Sequence, residues 1–164
     1  MIRRGFAPVV DARSRLLILG SLPGEASLAA GQYYANPRNA FWRLMDTVTG
    51  RSLSALPYDD RLKALADARI GLWDVIASAQ RDGSLDAAIR SPEAADLLGL
   101  IASLPDLRAV AFNGGKAAKL GLRILAPEAA RLRLIILPSS SPAHARPFDV
   151  KAEAWLGLAD CIRD

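Results

Sequence analysis

Residues 32–42, Gln-Tyr-Tyr-Ala-Asn-Pro-Arg-Asn-Ala-Phe-Trp, put two tyrosines and two asparagines shortly after an apolar run and a Gly-Ser-Leu-Pro-Gly turn (20–24). Such side chains stack on rings, hydrogen-bond ring edges and position a water. They are poor nucleophiles. Carboxylates are scarce beside them: Glu25 is the only one in residues 17–42. Asp74, in Leu72-Trp73-Asp74-Val75, is expected to hydrogen-bond neighbouring backbone rather than attack a substrate. With one histidine and one cysteine, the chain has no zinc site of the usual ligand types, no cysteine-held iron–sulfur cluster and no internal disulfide. The expectation is a site that needs no metal and no cofactor.

Two glycine turns invite comparison with phosphate-binding loops. Gly20-Ser21-Leu22-Pro23-Gly24 lacks the Gly-x-Gly-x-x-Gly spacing of a dinucleotide fingerprint. Asn113-Gly114-Gly115-Lys116 has Val110 where a P-loop needs its first glycine, and Ala117 where it needs a magnesium-binding hydroxyl. A nucleoside triphosphatase is therefore disfavoured. Gly114-Gly115 reads equally as a plain strand-to-helix turn and as a row of backbone N–H groups that, with Lys116, faces a phosphate. Pro138-Ser139-Ser140-Ser141-Pro142-Ala143-His144-Ala145 reads either as a proline-stiffened connection or, with Arg146 adjacent, as a probe for a nucleic-acid backbone.

Four short apolar runs must carry these loops: 16–19, 71–76, 109–112 and 134–137. None alternates with polar residues, so the pattern predicts parallel strands covered on both faces. Helical spacing is expected over 38–48, 59–68, 116–125 and 149–162. A further helix is expected from Pro92, capped by Ser91, to about Ser103. Strands alternating with helices predict a three-layer α/β/α sandwich around a central, mainly parallel, four-stranded sheet. In such sheets ligands bind at the carboxyl ends of the strands, where all four loops should converge. The second of them is read as Ala-Ser-Ala-Gln-Arg (77–81).

The 164 residues are read as a single domain, 1–164, long enough for one core. Half the residues are apolar, no run is long enough to span a membrane, and no signal-peptide core is present, so a cytoplasmic location is expected. Cys161 is expected as a buried thiol beside Leu158 and Ile162 in a C-terminal helix. A net charge of +4 points weakly to an anionic partner.

Taken in order, the motifs resemble the uracil-DNA glycosylase superfamily, and within it the hypoxanthine-DNA (deoxyinosine) glycosylase branch. The resemblance rests on 19–24 with 32–42, on Gly-Leu-Trp-Asp-Val-Ile (71–76) with Arg-Asp-Gly-Ser-Leu-Asp (81–86), on Phe-Asn-Gly-Gly-Lys-Ala (112–117), and on Leu-Pro-Ser-Ser-Ser-Pro-Ala-His-Ala (137–145). It implies a monofunctional enzyme that hydrolyses the N-glycosidic bond of a deaminated base in DNA. Hypoxanthine, uracil and xanthine remain open as the base. It implies that Tyr34 stacks on a flipped base, that Asn39 positions the hydrolytic water, and that Asn113 contacts the base or orients the reacting groups. Gly20, Ser21, Leu22, Pro23, Asn36 and Ser139 would complete the base pocket. Arg38, Lys116, Ser140, Ser141, Pro142, Ala143, His144 and Arg146 would meet the DNA, with Lys119 beside them. Asn36 stands where the branch often has histidine, and His144 where it often has asparagine. No metal, no membrane and a monomer are expected. The competing readings are a catalytically silent DNA-binding module of this fold and an α/β hydrolase acting on small nucleosides.

Overall fold

The computed structural model describes all of residues 1–164. Its strands are β1 (Ile2–Arg4), β2 (Leu16–Gly20), β3 (Ile70–Asp74), β4 (Ile76–Gln80), β5 (Arg90–Ala94), β6 (Ala109–Asn113) and β7 (Arg133–Leu137). Its helices are α1 (Glu25–Ala30), α2 (Phe41–Thr49), α3 (Tyr58–Asp67), α4 (Leu97–Ala102), α5 (Gly115–Leu125), α6 (Phe148–Leu156) and α7 (Ala159–Ile162).

The four runs read as strands supply one parallel sheet in the order β3-β2-β6-β7, except that the run 71–76 leaves it after Asp74 and Ile76 already belongs to β4. The pleat sends successive residues to opposite faces. Leu16, Ile18, Ala109 and Ala111 therefore enter one core with α2, α3, α6 and α7. Leu17, Leu19, Val110 and Phe112 enter the other, against α4 and α5. Both cores are needed to bury a strand with no polar face, which is why β2, and β6 as far as Phe112, are apolar. The three-layer expectation holds. At the margins cover is uneven: the edge strand β7 leaves Ile136 60% exposed. On the opposite edge, Val9 and Leu72 exchange backbone hydrogen bonds at 2.9 Å, so the N-terminal segment covers β3.

Sequence spacing missed a second sheet. β1, β4 and β5 form an antiparallel three-stranded sheet, β1-β4-β5. Residues 77–80, read as a loop, belong to β4. The expected helix from Pro92 is likewise corrected: residues 90–94 are strand β5, exposed along its length, and Ser91 has φ +51° and caps nothing. Proline lacks an N–H but is tolerated on such an edge. The helix begins only at Leu97, where the Asp96 side chain accepts from the Gly99 N–H at 3.0 Å. The C-terminal helix is also broken between Leu156 and Ala159, with Cys161 buried as expected.

After β2 the chain moves outward to β3, then returns to the other side of β2 to place β6. The order of strands reverses there. The crevice at such a reversal, at the carboxyl ends of the strands, is where open α/β sheets bind ligands. Gly20 and Asn113 end the two strands that flank it.

Candidate active site

A cleft of about 500 Å³ opens at that reversal. Its walls come from the loops after β2, β6 and β7 that sequence reasoning singled out, and from residues 84–87; the fourth expected loop, 77–81, does not line it. All the predicted site residues line it except Arg38 and Arg146, which are exposed outside it.

Asn113 holds the walls together. It is buried at the end of β6, and its Nδ2 donates to Ser140 Oγ at 2.8 Å and to the Tyr34 hydroxyl at 3.3 Å. Its Oδ1 accepts from the Ser140 backbone N–H at 2.9 Å. Ser140 in turn accepts through its carbonyl from the Ala40 N–H at 3.0 Å. One amide thus joins the loops after β2, β6 and β7. It orients its neighbours and has little left for a ligand. Ser140, expected on the DNA-facing surface, is instead 1% exposed and committed to this brace.

Gly114, at φ +98°, turns the chain between β6 and α5 in a conformation that favours glycine. A side chain there would press on Ser139, 3.0 Å from its Cβ. The turn is therefore a packed junction, and Lys116 in the first turn of α5 borders the cleft.

Tyr34 has φ +55°, rare for a bulky residue, and such strain persists only where the surroundings fix it. One ring face stacks on Phe41, with centroids 3.9 Å apart and planes at 14°. Burial, then the charge of Asp74, hold its phenol well above the usual tyrosine value. It stays protonated. Since Asn113 donates to its oxygen, the hydroxyl proton is left to give. Tyr33 is structural: its hydroxyl donates to the Ala7 carbonyl at 2.9 Å.

Asn39 Oδ1 accepts from the Phe41 N–H at 3.0 Å and so tethers the start of α2. The side chain lines the cleft, and its Nδ2 donates to no protein group. Asn36 also lines the cleft, with Oδ1 accepting from the Arg38 N–H at 2.9 Å.

The floor holds the group that sequence reasoning undervalued. Asp74, 5% exposed at the end of β3, does not bond backbone; its buried Oδ2 has no hydrogen-bond partner. Burial, then the neighbouring Asp86, raise its pKa from 3.8 to about 7, against the pull of Arg81. A carboxyl in such a site keeps its proton in about half of the molecules at neutral pH, where an ordinary aspartate would be ionised. The signal was available: an acid at the carboxyl end of an otherwise apolar strand of the central sheet. Gly20 explains how closely the floor packs. A Cβ there would sit 2.6 Å from Asp74 Oδ1 and 3.0 Å from the Tyr34 hydroxyl.

Across the cleft, His144 borders the opening, with Nε2 buried and unpartnered. Desolvation and the positive charges of Lys151 and Arg146 lower its pKa, so it is neutral at neutral pH. Lys151, which sequence reasoning passed over, is 3% exposed and reaches from α6 to donate to the Ser141 carbonyl at 3.1 Å. It braces the loop from beneath.

The fold and this cleft define the class. The family model of the Uracil DNA glycosylase superfamily matches residues 7–159, and the chain belongs to that superfamily. Two curated relatives are each named "Hypoxanthine DNA glycosylase". The one from Methanosarcina acetivorans is 42% identical over 157 residues, covering 94% of this chain and 96% of the relative. The one from Methanosarcina barkeri is 39% identical over 157 residues, with the same coverage. The solution NMR structure of a candidate uracil DNA glycosylase from Methanosarcina acetivorans superposes with a TM-score of 0.87 at 40% identity, covering 97% of each chain.

Proposed function

We propose that this protein hydrolyses the N-glycosidic bond of a deaminated base in DNA, with hypoxanthine as the foremost substrate, and releases the free base from an intact strand. The observation that carries the reading is the Asn113 brace, which fixes three loops into one preformed pocket in a superfamily of base-releasing enzymes. The names of the relatives support hypoxanthine as the base.

A base inside a duplex must leave the stack to reach such a pocket. Tyr34, with one face held by Phe41, offers a fixed ring surface against which it packs. Breaking the bond between the sugar C1′ and the base nitrogen sends the electron pair to the base and leaves an oxocarbenium-like sugar. Preorganised donors stabilise the departing base, and the Tyr34 hydroxyl and the protonated Asp74 carboxyl are the donors of the floor. Water then adds to C1′. The proton it loses goes to the departing base, so base and abasic sugar both leave neutral. Asn39, through its free Nδ2, holds that water by its oxygen. An oxocarbenium-like centre is electrophilic enough to need no strong base. Lys116 and the exposed Arg38, Arg146 and Lys119 meet phosphates, which position the strand.

The test is a panel of oligonucleotides carrying hypoxanthine, uracil or xanthine, incubated with protein with and without a strong chelator and then treated with alkali. Alkali-dependent cleavage at hypoxanthine, unchanged by chelator, is expected. Binding with no abasic site would make the protein a silent module. Activity on free nucleosides alone would make it a small-molecule hydrolase.

A further inference from the structure

We propose that a second hollow, behind the loop 34–39, seats a backbone phosphate of the damaged strand beside the extruded nucleotide. The hollow has a volume of about 520 Å³ and shares Tyr34, Asn36 and Asn39 with the base cleft. The loop is thus a partition between two chambers. Arg43 and Arg61 line the second chamber, and no carboxylate does.

Both guanidiniums are held in place without an acid, and neither forms an ion pair. Arg61 Nε donates to the Leu56 carbonyl at 2.8 Å and Nη2 to the Ser54 carbonyl at 2.9 Å. Its guanidinium carbon lies 5.3 Å from the centroid of the Trp42 ring, and its Nη1 donates to no protein group. Arg43 is exposed, with its guanidinium carbon 4.0 Å from the centroid of the Phe148 ring, and all of its side-chain donors are free. Asp46, on the same helix as Arg43, is committed elsewhere: it accepts from the Ser54 N–H at 2.9 Å and from the Ser54 hydroxyl. Asp59 and Asp60 are exposed at the start of α3 and do not line the hollow. The remaining polar groups add donors. The Tyr58 oxygen accepts from the Tyr33 N–H at 3.0 Å, so its proton is left to give, and Asn36 Nδ2 is free because Oδ1 serves the Arg38 N–H.

Two uncompensated cations in a hollow lined by donors suit an anion that only accepts. A guanidinium whose plane is already fixed matches phosphate oxygens in particular. A free phosphate shares that chemistry, but the common wall favours the DNA backbone. A strand that sends one base into the cleft must carry its flanking phosphates over the rim. Asn36, exposed and bordering both chambers, lies on that path. A phosphate behind the partition and a base in front of it would grip the loop that carries Tyr34 and Asn39 from both sides. This inference rests on the reading of the cleft as a pocket for a base in DNA.

Duplexes carrying hypoxanthine, each with one phosphate near the lesion replaced by an uncharged methylphosphonate, test it against wild type, Arg61→Gln and Arg43→Gln. For wild type, one position flanking the lesion should weaken binding roughly tenfold through loss of charge-assisted hydrogen bonds. For Arg61→Gln that position should cost nothing further, while the other positions keep their wild-type effects. Arg43→Gln breaks no hydrogen bond within the protein and should lose part of the same effect, so the test stands even if Arg61→Gln fails to fold. Positions that weaken the variants as much as wild type would overturn the phosphate seat. Inorganic phosphate that shifts the Trp42 indole N–H signal in NMR spectra, with no position coupled to either arginine, would make the hollow a site for free phosphate and overturn it too. Base release from the unmodified duplex is read on the same samples. Release by wild type without a coupled position would sink the seat alone, and no release would sink the pocket reading with it.

Discussion

Replacing Asp74 by asparagine should stabilise the protein in neutral and alkaline solution and leave its stability unchanged in acid. The unfolded carboxyl releases its proton near pH 3.8, whereas the folded one keeps it to about pH 7. Between those values the native state binds the extra proton. Stability is therefore full below about pH 4, falls as the pH rises, and levels off above about pH 7. A span of about three pH units, at about 1.4 kcal/mol each, sets an upper figure of ~4 kcal/mol. The cause is in the geometry: a carboxylate with a buried, unpartnered oxygen, facing Asp86 and relieved in part by Arg81. Asparagine keeps the shape and never carries the charge. For a chain of this size about 2–4 °C accompanies each kcal/mol, so a gain of roughly 5–15 °C is expected at pH 8.

Thermal melts of wild type and Asp74→Asn at pH 4, 6 and 8 supply the check. Every other titrating group, Arg81, Asp86, Tyr34 and His144 among them, is common to both proteins, so the difference between the two curves isolates Asp74. A difference that stays flat from pH 4 to pH 8 would refute the buried acid. Base release measured on the same samples adds the functional half. A variant that is more stable and less active would mark Asp74 as a group retained for chemistry at a cost in stability.

Asn39→Ala should lower stability by about 1 kcal/mol, through loss of the tether to the start of α2. It should also slow single-turnover base release by roughly a hundredfold; a lower melting temperature at an unchanged rate would leave Asn39 as a cap only. Gly20→Ala should push Asp74 and Tyr34 apart, costing about 1–3 kcal/mol of stability and at least tenfold in rate; near-normal kinetics would show that the floor yields easily. Lys116→Ala should reduce the slope of log affinity against log salt by about 0.9 on duplex DNA. Borohydride added during wild-type turnover should trap no protein–DNA adduct, and an adduct that vanishes in Lys116→Ala would make this lysine a nucleophile.

The central sheet was legible because β2 and β6 are apolar on both faces, which only a parallel, doubly covered strand requires. From that, the position of the cleft followed by topology. The antiparallel sheet was not legible for the opposite reason. Arg90–Ala94 is exposed throughout and holds a proline, so no periodicity announces a strand; its pairing with β4 comes from tertiary contact. Misreading β4 as a loop hid the frame that carries Arg81 and the 84–87 wall of the cleft. Types of residue were readable where chemistry constrains them, as for Tyr34 and Asn113, but their commitments were not. Sequence shows that a serine lies in a loop, not that Ser140 spends its hydroxyl and both backbone groups on its neighbours. It shows an aspartate, not whether a partner waits for it. Asp74 has none, and that absence makes it both a weakness in the fold and a donor at the pocket floor. The same burial that raises its pKa explains both roles, so stability and base release should respond to its substitution in opposite directions.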